Sequence, residues 1–156
     1  MKELFEYRVK MVKRLREAAQ EFRLACETAR DPYERMQGEW TLHQTASHVR
    51  DVNKLIYGAR IRRTLAEDNP EFINFDADDW MNKNYNEQES PADILTEFIA
   101  NVEELCDTLS EQPQEVWSRE SRHETIGGGL ALQLWVERGL AHIEEHLLTL
   151  KKAENK

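Results

Sequence analysis

Apolar residues recur every three to four positions through four separate stretches of the chain, the spacing that lines one face of an α-helix. In the first, residues 3–28, the stripe is Phe5, Val9, Val12, Leu15, Ala19, Phe22 and Cys26. Asp31-Pro32 stops it, because the residue before a proline is pushed out of the α region. The second stretch starts near Thr41, where Thr41-x-x-Gln44 reads as a capping box and Trp40 as a hydrophobic staple. Its stripe is Leu42, Ala46, Val49, Val52, Leu55, Ile56 and Ala59, and it fades through residues 60–67 into Asp68-Asn69-Pro70. The third opens on Ser90 as N-cap, Pro91 at the first helical position and Asp93 in the first turn. Ile94, Leu95, Phe98, Ile99, Val102, Leu105, Cys106 and Leu109 form its core face. The fourth covers residues 130–152, with Leu132, Trp135, Val136, Leu140, Ile143, Leu147 and Leu150 inward and Lys151 and Lys152 at the negative end of its dipole.

Four amphipathic helices predict an all-α fold, a four-helix up-and-down bundle forming one domain over residues 1–156. Two connections are long. Residues 68–89 carry Phe72, Phe75, Trp80 and Tyr85, aromatics that need cover. That segment reads equally as a lid across one end of the bundle and as an anchored surface loop. Residues 111–129 hold Trp117, Arg119 and Arg122 and end in Gly127-Gly128-Gly129. Glycines ahead of a helix can present amides to an anion, but a flexible lead-in to the fourth helix is the plainer reading.

Composition narrows the functional classes. The net charge is −9, so phosphate neutralisation of a nucleic acid is not expected, nor is attraction to an anionic membrane. Cys26 and Cys106 form no C-x-x-C and suggest neither a disulfide framework nor a thiolate metal site. No apolar run is long enough to span a bilayer, and the first residues lack the apolar core of a signal peptide. A reduced, cytoplasmic setting is expected.

The candidate chemistry lies in the histidines. His142 and His146 are four apart in the fourth helix and share a face. His48 lies beside the apolar stripe of the second helix. Three imidazoles and an open position suit a divalent ion such as Zn, Ni or Fe, whereas a lone histidine on such a face is usually a hydrogen-bonded core residue. His43, five residues before His48, points about 140° away and is expected to face solvent. His123 falls in a polar loop and is assigned no role. His142-x-x-Glu145-His146 also fits the inverted zinc-protease pattern, which is set aside because it has no use for His48 and lacks a downstream ligand beyond Glu154. Geometry poses a difficulty: His48 stands ~10 Å from the start of its helix and His142 ~18 Å from the start of its own.

Trp40, then His48-Val49-x-Asp51, the Asp79-Trp80 pair and the late His142-x-x-x-His146-Leu147 together resemble the DinB/YfiT-like superfamily of metalloenzymes. The resemblance spans essentially the whole chain. It implies a four-helix bundle, often a homodimer, with a divalent metal on His48, His142 and His146. It further implies a small-molecule substrate and chemistry of the kind its characterised relatives perform: metal-dependent transfer or isomerisation with a low-molecular-weight thiol such as bacillithiol, mycothiol or glutathione.

A thiol-dependent transferase is accordingly the first expectation. The thiol would bind as thiolate under residues 68–89, and Arg50 or Lys54 could attract its carboxylates, although solvated surface charge is the plainer reading of both. Metal-assisted hydrolysis is the alternative, with Asp78, Asp79 or Glu145 as acid–base candidates. A non-catalytic bundle is the third. Asp51 or Glu145 could orient a histidine ligand. Metal binding is expected to weaken below pH ~6 as imidazoles protonate.

Overall fold

Thr41 and Gln44 close the expected capping box: the Gln44 amide donates to Thr41 Oγ1 at 3.1 Å and the Thr41 amide to Gln44 Oε1 at 2.8 Å. From that cap the second helix runs as α2 (Leu42–Val52), widens into a π-turn (Asn53–Tyr57) and continues as α3 (Gly58–Ala66). The computed structural model describes residues 1–29, 31–36 and 40–154. The other long helices are α1 (Lys2–Glu27), α5 (Pro91–Ser110) and α6 (Leu132–Glu154), and Ser90 and Pro91 begin α5 as expected.

Side-chain contacts give the helix directions. Tyr7 bonds Glu137, Arg8 bonds Gln133 and Arg14 bonds Glu144, so α1 and α6 run parallel. Arg16 reaches Asp107 and Glu103 while Arg8 reaches Gln114, so α5 runs the other way. His48 meets His142 and Arg60 lies over Trp135, so the α2–α3 helix is antiparallel to α6. Both α1 and α2 pack on α5 and α6. The chain order is therefore up, down, down, up, with α1 and α2 diagonal, and the up-and-down expectation is corrected.

This arrangement accounts for the connection after α3. Parallel α2 and α5 require the chain to return the full length of the bundle before α5 can start. The return is a strap lying on the outside of the α2–α3 helix. It contains a short strand β1 (Glu71–Phe72) and a helix α4 (Ala77–Asn84), which Asp76 caps through the Asp79 amide at 3.0 Å. Trp80 Nε1 donates to Asp51 at 3.3 Å, Tyr85 reaches His43, and Glu89 pairs with Arg50 at 2.6 Å. His43 and Arg50 lie on the helix face opposite His48 at 100° per residue, so the strap is not a lid over the histidines.

The all-α expectation is also corrected. β1, β2 (Glu120–His123) and β3 (Gly127–Ala131) form a three-stranded sheet, with β1 parallel and β3 antiparallel to β2. Ser121, His123 and Leu130 turn inward. Ser121 Oγ accepts from Trp135 Nε1 at 2.8 Å and donates to the Leu130 carbonyl at 2.9 Å. Gly127 (φ 110) and Gly129 (φ 69) adopt backbone that L side chains avoid, so the glycines shape a hairpin strand and neither lead flexibly into a helix nor cap one.

The core lies among the four long helices, with Phe22 edge-on to Phe98 and Trp135 fully buried. At the start of α1 the expected stripe does not hold. Phe5 and Val9 are 49% and 53% exposed, and Arg8 is buried instead, its guanidinium over Trp117 at 5.6 Å. Among the described residues no helix is long and apolar enough to cross a membrane.

Candidate metal centre

His48 stands two turns into α2, and His142 and His146 share a face of α6. The offset that the sequence suggested is real and is met by the antiparallel packing, with the C-terminal end of α6 reaching past the start of α2. His48 lies ~9 Å from the start of α2, and the α6 pair lies ~12 and ~18 Å from its end. Each histidine offers one ring nitrogen, and the three nitrogens lie within 4.8 Å of one another. His48 Nε2 and His142 Nε2 are 3.1 Å apart. Two nitrogens ~2.0–2.1 Å from a tetrahedral ion would be ~3.3 Å apart, so the donor set fits a divalent metal in type and in spacing.

Burial keeps these imidazoles neutral. It pushes His48 down to about 4, with a smaller push from His146. His142 falls to about 3, again through burial first and then through its two neighbours. His146 is lowered by burial, and Glu145 opposes that shift. A neutral imidazole is the form that binds a metal, so the protein meets that requirement before any ion arrives.

Aromatic packing sets the rings. Trp40, expected as a staple, lies edge-on to His48 with centroids 4.8 Å apart. Tyr57 is 6.0 Å from His142 and packs on Gly139, where a Cβ would come within 3.2 Å of Tyr57 Cβ. Tyr57 is the site residue that sequence reasoning missed. Nine residues separate it from His48, which in an unbroken α-helix puts it on the opposite face. The π-turn takes up one extra residue and swings it toward α6; such turns are frequent at functional sites. The one signal in the sequence is Gly58, where a Cβ would meet the Asn53 carbonyl oxygen at 2.5 Å.

Other candidates are placed elsewhere. Asp51 accepts from Arg50 Nε at 3.0 Å and from Trp80, so it orients no histidine. Arg50 is buried among Asp51, Glu89 and Glu97, and Lys54 pairs with Glu97, so neither is free to draw in a thiol. Asp78 and Asp79 lie exposed in the first turn of α4, and Asp79 pairs with Lys83. Cys26 and Cys106 are buried, which raises their thiols to about 12 and about 11. His43 is 0% exposed, contrary to expectation: its Nδ1 accepts from the Tyr85 hydroxyl at 2.5 Å and its Nε2 donates to the Glu89 carbonyl at 2.7 Å. His123 is 7% exposed on β2, and its Nδ1 accepts from the Thr125 and Ile126 amides.

The sequence profile of the DinB superfamily matches residues 11–150. This chain belongs to the DinB superfamily. Its fold is similar to that of YfiT from Bacillus subtilis, a solved structure described as a probable metal-dependent hydrolase with an unusual four-helix bundle topology. The two share 19% identity with a TM-score of 0.83 over 96% of this DinB chain and 87% of the other. No curated protein sequence gives a significant match.

Proposed function

We propose that this protein is a divalent-metal-dependent enzyme in which His48, His142 and His146 hold one ion and leave it an open position. The observation that carries the reading is the convergence of three neutral ring nitrogens from two antiparallel helices. A Zn, Ni or Fe ion there would supply Lewis acidity, lowering the pKa of a water or thiol at its open position. The chain supplies the rest. Burial keeps the imidazoles unprotonated, Trp40 and Tyr57 pack on two of the rings, and the antiparallel α2 and α6 set the spacing.

Metal-assisted hydrolysis of a small molecule is the reaction we place first, and the likeness of fold to the Bacillus subtilis protein supports it. Thiol-dependent transfer, with bacillithiol, mycothiol or glutathione as co-substrate, is the second reading. It draws on the family resemblance and on the composition of the cluster, which contains three histidines and no carboxylate. A nucleophile activated by coordination alone suits a thiol, since a coordinated thiol is deprotonated outright. We also propose a homodimer, which sedimentation would test.

Metal analysis of protein purified without a histidine tag tests the site. Binding of less than ~0.2 equivalents of any transition metal after reconstitution would refute it, given the affinity expected of three imidazoles. The reconstituted protein should then be offered esters and amides without thiol, and generic electrophiles with a panel of thiols. Turnover of esters alone selects hydrolysis; turnover only with a thiol selects transfer.

A further inference from the structure

We infer that a cavity between the α2–α3 helix, the strap and the sheet, linked to the histidine cluster by Tyr57, binds the oxyanion of a small-molecule substrate, a carboxylate or phosphate, through Arg60, His123 and Tyr57. Its link to the reaction rests on the metal-centre reading above. The cavity measures about 360 Å³, the size of a small-molecule site. Ile56, Phe75 and Ile126 give it apolar walls, and Tyr57 joins it to the metal centre.

Three of its polar groups have hydrogen bonds to give. The Arg60 guanidinium lies over Trp135 at 4.8 Å and over Phe72 at 5.8 Å, with one long contact to the Ile73 carbonyl at 3.5 Å. Among the described residues no carboxylate pairs with it, although acids outnumber bases in this chain and Arg14, Arg16, Arg50 and Arg63 each hold one. Burial lowers Arg60 from its ordinary value, Tyr57 opposes that shift, and Arg138, another cation, adds to it. His123 is nine-tenths buried, and two backbone amides point at its Nδ1, at 3.1 and 3.2 Å. That nitrogen must therefore be a lone pair, and the ring proton is on Nε2, which has no acceptor among the described residues. The Tyr57 hydroxyl has none either.

A planar guanidinium with two further donors is the arrangement that takes a carboxylate or phosphate in a fork. Asp76 is on the same wall, with Oδ1 engaged by the Asp79 amide, and so favours a ligand that also carries a hydroxyl or amino group. Asn74 contributes little, because Glu124 and Thr125 hold its side chain. Trp135, under Arg60, lies seven residues from His142, or ~10 Å along α6. The substrate class is thus a small molecule with its anionic end ~10 Å from the group that reacts.

Benzoate and phenyl phosphate, with benzamide as the uncharged control, test this on metal-free protein. Affinity is read by calorimetry and the His123 Nε2–H by nitrogen-15 NMR. Both anions should bind and shift that resonance, with benzamide weaker by about tenfold or more. Arg60→Gln should weaken the anions by about tenfold, Arg60→Lys should restore part of the loss, and Arg14→Gln, on the far side of the bundle, should change nothing. Equal binding of benzamide and the anions, unchanged affinity in Arg60→Gln, or a silent His123 would overturn the proposal. Metal uptake by the same preparations after reconstitution separates the two readings. A loaded centre without anion selectivity sinks the subsite alone, and anion binding without metal uptake leaves the subsite standing while the metal reading fails.

Discussion

His43 and His48, on one helix, turn to opposite sides: Nε2 of His43 donates to the Glu89 carbonyl at 2.7 Å, and Nε2 of His48 meets Nε2 of His142 at 3.1 Å. The first histidine ties the strap to the helix; the second belongs to the candidate metal centre. Their alanine variants should separate cleanly. His43→Ala, which empties a fully buried site and leaves Tyr85 and Glu89 without their partner, should cost ~2–3 kcal/mol of stability and spare metal uptake. His48→Ala, or His142→Ala with His146→Ala, should abolish metal uptake while helix content persists. Urea denaturation and metal analysis of the same samples check both.

Acid should act on folding before it acts on metal binding. An ordinary histidine titrates near 6.5, whereas folding holds His48 at about 4 and His142 at about 3 and lowers His146 too. Between those values the unfolded chain binds protons that the folded chain refuses. The stability of metal-free protein is therefore flat above pH 6.5 and falls as the pH drops toward 4, by up to ~1.4 kcal/mol per pH unit for each histidine. Zinc affinity of the folded protein should begin to fall at a lower pH than the ~6 expected for exposed imidazoles, because all three are lowered by burial. Unfolding curves and competition titrations from pH 7.5 to 4.5 read the two effects. A metal-binding midpoint at pH 6 or above would contradict the burial of the site.

Arg50 and Lys54 are both lysine- or arginine-to-acid contacts of one helix, yet they should differ severalfold in cost. Arg50 is buried and holds Asp51, Glu89 and Glu97 together, so Arg50→Ala leaves three partly exposed carboxylates crowded without their cation and should cost ~1.5–3 kcal/mol. Lys54 is half exposed, and Lys54→Ala should cost less than ~1 kcal/mol. Amide exchange across residues 77–89 should accelerate in the arginine variant alone, since Arg50 fastens the end of the strap.

Gly58→Ala tests the π-turn. Alanine ordinarily favours a helix over glycine by ~1 kcal/mol, but here its Cβ would press on the Asn53 carbonyl. A net loss of ~1–3 kcal/mol is expected, together with a changed environment at Tyr57. Unfolding midpoints and Tyr57 ring resonances check it; a stabilised variant would mean the turn reverts to α-helix at no cost.

The helices and the three histidines could be read from the chain because each depends on local periodicity or on spacing within one helix. The helix starts at Thr41 and Ser90 were legible for the same reason. What escaped depends on partners far along the sequence. His43 looked solvent-facing because nothing near it announces that Tyr85 and Glu89 return to cover it. His123 looked idle because β2 exists only when Gly127 and Gly129 bend β3 back onto it. Phe5 and Val9 kept helical spacing although the start of α1 faces Trp117 through Arg8. Helix directions were inaccessible, since a long connection says that the chain travels but not where it lands.

The up-down-down-up course also bears on when the centre can form. His48 and His142 are 94 residues apart in sequence, and α6 follows every other element. Contacts so distant are reached late, because closing the intervening chain costs entropy before they give anything back. The candidate ligand set is thus completed by the docking of α6; before it, an ion finds His48 alone or the His142–His146 pair alone. Metal uptake should report the last stage of assembly, arriving with burial of Trp135 and not with the first helix formation.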